Sequence, residues 1–269
     1  MSKTPGTFDD GYESTLTEDS RDFVSALASG LEVILAFDQN NRQMTLSEVT
    51  ARTGMNRAKA RRFLLTLEAL GYVRKNQRNF ELTPKILSLG YAYLSSNNFH
   101  SVIQQYLENI SQNLGESSSL GVLDGEDVVY VSRAAAKHRL MSITLSVGTH
   151  LPAIVTSMGR VLLAQKNDDQ LDAFLEHIEP VRYTDKTITD KTILRQLIQQ
   201  VRLQGYCIVD QELDSALRSL ALPVFDNKGK LVGALNVSTN AARISIDTLT
   251  REFLPYLQAR IKEMSQYLN

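Results

Sequence analysis

Only one cysteine, Cys207, occurs in the 269 residues, and there is no tryptophan. A single thiol closes no internal disulfide, and no Cys/His cluster has the spacing of a zinc site, so neither a disulfide scaffold nor a metal centre is expected. No stretch approaches eighteen apolar residues free of charge, which leaves no transmembrane helix. The first twenty residues lack an apolar segment and carry five acids, so residues 1–20 read as a disordered acidic tail rather than a targeting signal. A cytoplasmic protein making no use of a membrane is expected. Catalytic signatures are missing too: H-E-x-x-H, G-x-S-x-G and G-x-x-x-x-G-K-S/T do not occur, and His100, His138, His150 and His177 stand apart from one another. No catalytic residue and no cofactor is assigned. Cys207 lies early in a predicted strand, where a buried thiol is the common reading and a redox sensor the minority one. His150, before Leu151-Pro152, reads as a loop histidine that either faces solvent or touches a ligand.

What the chain does have is a local concentration of positive charge. The formal net charge of −1 conceals it: residues 1–20 hold one Lys/Arg against five Asp/Glu, residues 21–95 eleven against six, and residues 96–269 seventeen against nineteen. Between Arg52 and Arg78 there are eight Lys/Arg and one acid, a density that suits a phosphate backbone. The 43% hydrophobic content over this length supports two domains with separate cores.

Helical periodicity places Phe23, Leu27, Leu31, Ile34 and Leu35 on the core side of a first helix, Arg21 to Phe37. Thr45-Leu46-Ser47-Glu48 has the form of a capping box and opens a second helix that ends near Thr53, where Gly54 supplies a turn. Asn56 caps a third helix from Arg57 to Leu70, closed by Gly71. Its apolar stripe, Ala60, Phe63, Leu64, Leu67 and Leu70, leaves the basic N-terminal end outside the core, as a major-groove recognition helix requires. Two short strands, Tyr72 to Lys75 and Phe80 to Leu82, then form a wing with Arg78 at its tip. Residues 21–83 therefore read as a winged helix-turn-helix. DNA contact is expected from Thr45, Ser47, Asn56, Arg57, Ala58, Lys59, Arg61 and Arg62, and from Lys75 and Arg78 in the wing. A charge run alone is usually a solvated face, but here capping box, turn glycine, basic helix start and basic wing follow in order.

Thr83-Pro84 opens a linker helix over residues 84–98 that contributes to a dimer contact, with a boundary at Ser95-Ser96-Asn97-Asn98. From residue 99 the pattern becomes α+β. A helix runs to about Leu114, followed by strands at Ser118 to Leu123, Val128 to Arg133 and Ser142 to Val147, the first two joined by Asp124-Gly125. Helices follow at Thr156 to Lys166, Asp168 to Ile178 and Asp190 to Gln204. Strands at Tyr206 to Asp210, Ser219 to Phe225 and Leu231 to Ser238 complete the sheet. A last helix, Thr248 to Leu268, carries Pro255 as a kink.

Three separated motifs, VGTHLPAIVTSMGRVLLA (147–164), VRLQGYCIVDQELDSALRSLALPVFDNKG (201–229) and LVGALNVSTNAARIS (231–245), together with the head, resemble the IclR family of transcriptional regulators from about Arg21 to Leu268. The wording is closest to the family's aromatic-acid-responsive, PobR/PcaU-like branch. The resemblance implies an α+β chain: an N-terminal winged helix-turn-helix, a helical linker, and a GAF-like effector-binding and oligomerisation domain over 99–269 with a curved antiparallel sheet. It implies a homodimer formed through the heads, or a tetramer. It also implies transcriptional activation of aromatic-compound catabolism genes from a double-stranded operator, with RNA polymerase as a further partner. The implied effector is a small hydroxybenzoate such as 4-hydroxybenzoate or protocatechuate. Motif positions carry the effector site onto Ser157, Met158, Val209, Asp210, Ser219, Asn236 and Ser238. Met158 and Asn236 stand where smaller or hydroxyl side chains are frequent in the family, which speaks against glyoxylate-like effectors.

A buried carboxylate needs a charge partner or several N–H donors, and the planar fork of arginine suits it. Arg133, Arg160 and Arg218 are the candidates, each of which could instead pair with an acid such as Asp210, Glu212 or Asp214. Two further readings stay open: a second domain serving only as a structural oligomerisation module, or one that senses a non-aromatic organic acid.

Overall fold

The computed structural model describes residues 16–268 apart from 18, 39, 97–99 and 137–144. The acidic tail before residue 16, the boundary residues Asn97 and Asn98, His138 and the start of the predicted strand 142–147 lie outside the described residues. Leu145 to Val147, the rest of that strand, run irregularly into a turn. The chain divides into two compact units after Ser96.

In the first unit, helix α1 (Ser25–Leu35) precedes a short strand β1 (Gln43–Thr45), helix α2 (Leu46–Thr53) and helix α3 (Arg57–Ala69). The capping box forms as its residues dictate: Thr45 Oγ1 accepts from Glu48 N at 3.4 Å, and Glu48 Oε2 accepts from Thr45 N at 2.7 Å. Gly54, at φ 67, ends α2, and Asn56 Oδ1 accepts from Lys59 N at 2.9 Å to start α3. Strands β2 (Val73–Asn76) and β3 (Asn79–Leu82) make the wing, and β1 adds to its edge to give the order β1-β3-β2. The wing is thus three-stranded rather than two-stranded, because Gln43, Met44 and Thr45 pair with Glu81, Phe80 and Asn79. Val33, Met44, Val49, Ala60, Leu64, Leu67, Val73 and Phe80 form the core.

Two of the expected apolar faces are not fully buried. Helix α1 turns Ser29 and Val33 inward, whereas Leu27, Leu31 and Leu35 are 64%, 47% and 78% exposed. Apolar residues surround most of this helix, so periodicity could not choose between two stripes; packing against α3, with Gly30 facing Phe63, makes the choice. Leu70, at the end of α3, is also exposed. A 3₁₀ turn at Pro84–Ile86 leads into α4 (Leu87–Ser96), on which Leu87, Leu89, Tyr91 and Tyr93 are exposed.

The second unit begins with α5 (His100–Leu114), followed by β4 (Ser117–Asp124), β5 (Asp127–Ala134) and β6 (His150–Pro152). Helices α6 (Ser157–Leu163), α7 (Asp168–His177) and α8 (Lys191–Gln204) come next, then β7 (Cys207–Asp210), β8 (Leu217–Phe225) and β9 (Leu231–Asn240). The chain closes with α9 (Ile246–Thr248), a π-helical turn at Leu249–Phe253 and α10 (Leu254–Ser265). The wide turn falls just before Pro255, whose ring and missing N–H are incompatible with a regular α-helical bond to the preceding turn. The six strands pair antiparallel in the order β6-β5-β4-β9-β8-β7. Strand β6 was not anticipated; its three residues pair with Val129, Val128 and Asp127 at the sheet edge.

Both faces of this sheet are covered, which explains why β8 and β9 read as nearly continuous apolar runs. Leu120, Leu220, Leu222, Leu235 and Val237 pack with Ile103, Leu107 and Ile110 of α5 and with Leu257, Ile261 and Met264 of α10. On the opposite face Val128, Tyr130, Val209, Ala221 and Ala234 pack with Met158, Val161, Leu171, Leu194 and Ile198 of α6 to α8. Cys207 belongs to this second cluster, and burial pushes its thiol up to about 12, so it is a core thiol and not a reactive one.

Candidate functional sites

In the first unit the α2–α3 corner presents the predicted basic surface. Arg57, Ala58, Lys59, Arg61 and Arg62 are exposed along the first turns of α3, on the side away from Ala60 and Leu64. Arg57 Nη1 donates to Ser47 Oγ at 2.9 Å, which fixes that guanidinium against the start of α2. The side chains of Thr45 and Asn56 are engaged as helix caps, so their part at this surface is to hold the two helices rather than to offer free polar groups. Lys75 and Arg78 are exposed on the wing, Lys75 Nζ lying 5.8 Å from the Phe80 ring centroid and Arg78 following Gln77, whose φ of 54 makes the tip tight. Arg52 and Arg74, also within the basic run, pair with Asp38 at 2.7 Å and Glu81 at 2.5 Å.

In the second unit the predicted residues divide by strand parity. Arg133, Ser119, Asn236, Ala221 and Cys207 are successive cross-strand partners, forming one row across β5, β4, β9, β8 and β7. Ser117, Ser238, Ser219 and Val209 form the next row. Direct partners on one face sit about 5 Å apart, so these two rows make a polar patch on the face covered by α6. Arg133 Nη1 donates to Ser119 Oγ at 3.0 Å, and Asn236 Nδ2 donates to Ser238 Oγ at 3.1 Å. Met158 is fully buried over the same face, close enough to Gly121 that a Cβ there would come 3.1 Å from its sulfur.

Among the described residues Ser157 Oγ and Asn236 Oδ1 are buried without a hydrogen-bond partner, while Arg260 Nε on α10 is the third such side-chain atom. An unsatisfied buried polar atom costs about 1–3 kcal/mol, so one on α6 and one on the sheet face that α6 covers call for an explanation.

Tyr130 adds a group that the sequence reading missed. Burial lifts its phenol to about 12, against the pull of nearby Arg133, so its hydroxyl stays protonated as a donor. It pairs with Gly121, one row away from Arg133 and Ser119. Simple alternation would put Tyr130 and Arg133 on opposite faces. A β-bulge at Val131, opposite the Leu120/Gly121 step, restores both to the same one.

Three predicted effector residues are engaged with other partners. Arg160 is bidentate to Glu212, with Nη1 and Nη2 each 2.7 Å from a carboxylate oxygen, and its Nε donates to Ile154 O at 2.7 Å. Arg218 and Asp210 share the opposite face of the sheet from Val209 and Ser219, since side chains alternate along each strand. They pair with each other at 2.7 Å, and Arg218 also donates to Ala241 O and Ile244 O. Both arginines are thus committed to acids and carbonyls. Arg133 is the one of the three that bonds to a member of the patch, Ser119.

Two family models match the chain: the IclR helix-turn-helix domain over residues 26–77 and the bacterial transcriptional regulator IclR C-terminal domain over residues 91–266. The chain belongs to the IclR family. This IclR-family chain is 44% identical over 247 residues to the Pca regulon regulatory protein of Pseudomonas putida, covering 92% of this chain and 85% of the relative. It is 31% identical to the p-hydroxybenzoate hydroxylase transcriptional activator of Acinetobacter baylyi, over 91% and 92% of the two chains. Among solved structures it is similar to a transcriptional regulator from Rhodococcus sp. RHA1, with TM-score 0.80, 47% identity and 91% and 98% coverage. The inducer-binding domain of a PobR double mutant from Acinetobacter, in complex with 3-hydroxybenzoic acid, matches with TM-score 0.60 and 27% identity over 62% of this chain and 98% of that one. The IclR assignment makes the chain a DNA-binding transcriptional regulator and not an enzyme. Among the described residues, no helix is long and apolar enough to cross a membrane.

Proposed function

We propose that the chain activates aromatic-compound catabolism genes, working with RNA polymerase in the cytoplasm, and that a small hydroxybenzoate such as 4-hydroxybenzoate or protocatechuate controls it. The observation that carries this reading is the pair of orphaned buried atoms, Ser157 Oγ at the start of α6 and Asn236 Oδ1 on the sheet face that α6 covers, a face that also holds Arg133. Asn236 Oδ1 can only accept a hydrogen bond, and its amide N–H already serves Ser238. A ligand with an O–H donor satisfies it, which a ring hydroxyl provides and an ionised dicarboxylate does not. The ligand's carboxylate goes to the Arg133 guanidinium, with Tyr130 donating beside it and the Met158 side chain against the ring. Two relatives, a Pca regulon regulatory protein and a p-hydroxybenzoate hydroxylase transcriptional activator, support the same chemistry.

The head is the output of this arrangement. Arg57, Lys59, Arg61 and Arg62 read an operator from the major groove while Lys75 and Arg78 hold its phosphates. Val24, just before α1, and Leu27, Leu31 and Leu35 on it leave an apolar stripe exposed, and with the exposed side chains of α4 they provide a surface for pairing two heads.

Thermal unfolding of the full chain with 4-hydroxybenzoate, protocatechuate, benzoate and adipate tests the effector. Ligand at a hundred times its Kd stabilises the folded form by about 2.7 kcal/mol. The melting temperature is expected to rise with the two hydroxybenzoates and less with benzoate, and Arg133→Ala should abolish the rise. No shift with either hydroxybenzoate, or an undiminished shift in the Arg133 variant, overturns this reading.

A further inference from the structure

The far end of the reader helix is held by the first residues of the connector. Gly71, at φ 79, closes α3 in a Schellman turn: its N–H donates to Glu68 O and the N–H of Tyr72 to Leu67 O, both at 2.9 Å. The carbonyls of Leu70 and Gly71 then point out of the helix, and both are taken up by the segment that begins the connector. Lys85 Nζ donates to Leu70 O at 2.8 Å, and Thr83 Oγ1 donates to Gly71 O at 2.5 Å. Lys85 Nζ also lies 5.0 Å from the centroid of the Tyr72 ring. Its own N–H donates to Thr83 Oγ1 at 3.2 Å, and its stem runs past Gly71, where an added Cβ would come 3.6 Å from Lys85 Cδ.

We propose that Lys85 is a positioning residue for DNA reading, a cationic clip that sets the orientation of α3 from the 3₁₀ turn that leads into the connector helix α4. A cation at a helix C-terminus complements the partial negative charge of the terminal carbonyls, and the Tyr72 ring face gives the same ammonium a second anchor. Lys85 does this from the end of α3 opposite to Arg57. Thirteen residues at about 1.5 Å each separate the two ends by roughly 20 Å, so Lys85 acts on the reader and not on the DNA. Any displacement of the connector is therefore delivered to the last turn of α3. The inference rests on α3 being the reader.

The test uses the full chain, a duplex that the wild type selects from a random-sequence pool, and an unrelated duplex, each titrated at several salt concentrations. Lys85→Met keeps an apolar stem and removes the charge and the donor; Lys85→Arg restores both. Lys85→Met is expected to weaken the selected duplex about two- to fivefold, the range that a cation at a helix C-terminus commands, and to leave the unrelated duplex and the salt slope as in wild type. Lys85→Arg should recover the lost affinity. Unchanged affinity for the selected duplex overturns the proposal. Equal losses on both duplexes with a shallower salt slope also overturn it, by making Lys85 a phosphate contact. Circular dichroism melts of the same samples address folding: loss of both duplexes together with an earlier melting transition overturns positioning in favour of plain stability. A wild-type chain that selects no duplex removes the reader assignment itself.

Discussion

The buried pair between Arg160 and Glu212 offers a demanding test of how the second unit is held together. Their side chains are only 3% and 7% exposed, and two parallel bonds of 2.7 Å join them. Glu212 Oε2 also accepts from Ile188 N at 3.1 Å, while the Glu212 carbonyl accepts from Thr187 Oγ1 at 2.6 Å, so the pair ties α6 to the segment before α8. Glu212→Ala leaves the guanidinium buried without its counter-charge. Breaking one partner of a buried pair costs about 3–5 kcal/mol. At about 2–4 °C per kcal/mol for a domain of 150–250 residues, the melting temperature should fall by roughly 6–20 °C.

The double variant Arg160→Met/Glu212→Leu should lose much less than Glu212→Ala alone, because it strands no charge. Urea unfolding of the full chain, followed by circular dichroism, measures the loss. Amide exchange of the β8 and β9 peptides assigns it to this unit. With no tryptophan in the chain, intrinsic fluorescence would be a poor reporter. A loss below about 1 kcal/mol, or a double variant as unstable as the sum of the singles, would refute the reasoning that desolvation governs this pair.

Two further outcomes follow from the same geometry. Burial pushes the Asp210 carboxyl up, but hydrogen bonds from Arg218, Gln211 and Lys186 overcome this and hold it at about 2, below the usual 3.8. A depressed folded pKa means stability that is complete above the unfolded value and lost as pH falls from about 4 towards 2, worth about 2 kcal/mol in all. Arg218→Met should flatten this acid limb, and urea midpoints at pH 5 and 2.5 in wild type and variant will show whether it does. At the head, Arg57→Ala and Arg61→Ala should weaken binding to a selected duplex more than to an unrelated one. Arg78→Ala should weaken both alike and lower the salt slope; equal losses at all three positions in salt-titrated gel shifts would remove α3 as the reader.

Much of the head was legible because its signals are local. Thr45 with Glu48, Gly54, Asn56 and Gly71 each act within a few residues, so caps and turns could be placed before any packing was known. The core stripe of α1 was not legible, since its apolar residues lie on more than one side and only contact with α3 selects Val33 over Leu31. In the second unit, the alternation within β8 and β9 was hidden by burial on both faces. Arg218 and Asp210 therefore looked as suitable for a site as Ser219 and Val209, although they point the other way.

The sequence by itself determined most of the helices and the longer strands, the cluster of basic residues on the third helix and the wing, and the family motifs, because these depend on near neighbours and on charge. Only the tertiary structure decided which arginine meets the polar patch. Arg160 and Arg218 are claimed by Glu212 and Asp210, partners that the chain brings to them from 52 and 8 residues away. Arg133 reaches Ser119 because one extra residue at Val131 reverses the parity of β5. Which face a side chain occupies is a property of strand pairing, and pairing is settled between strands rather than within one.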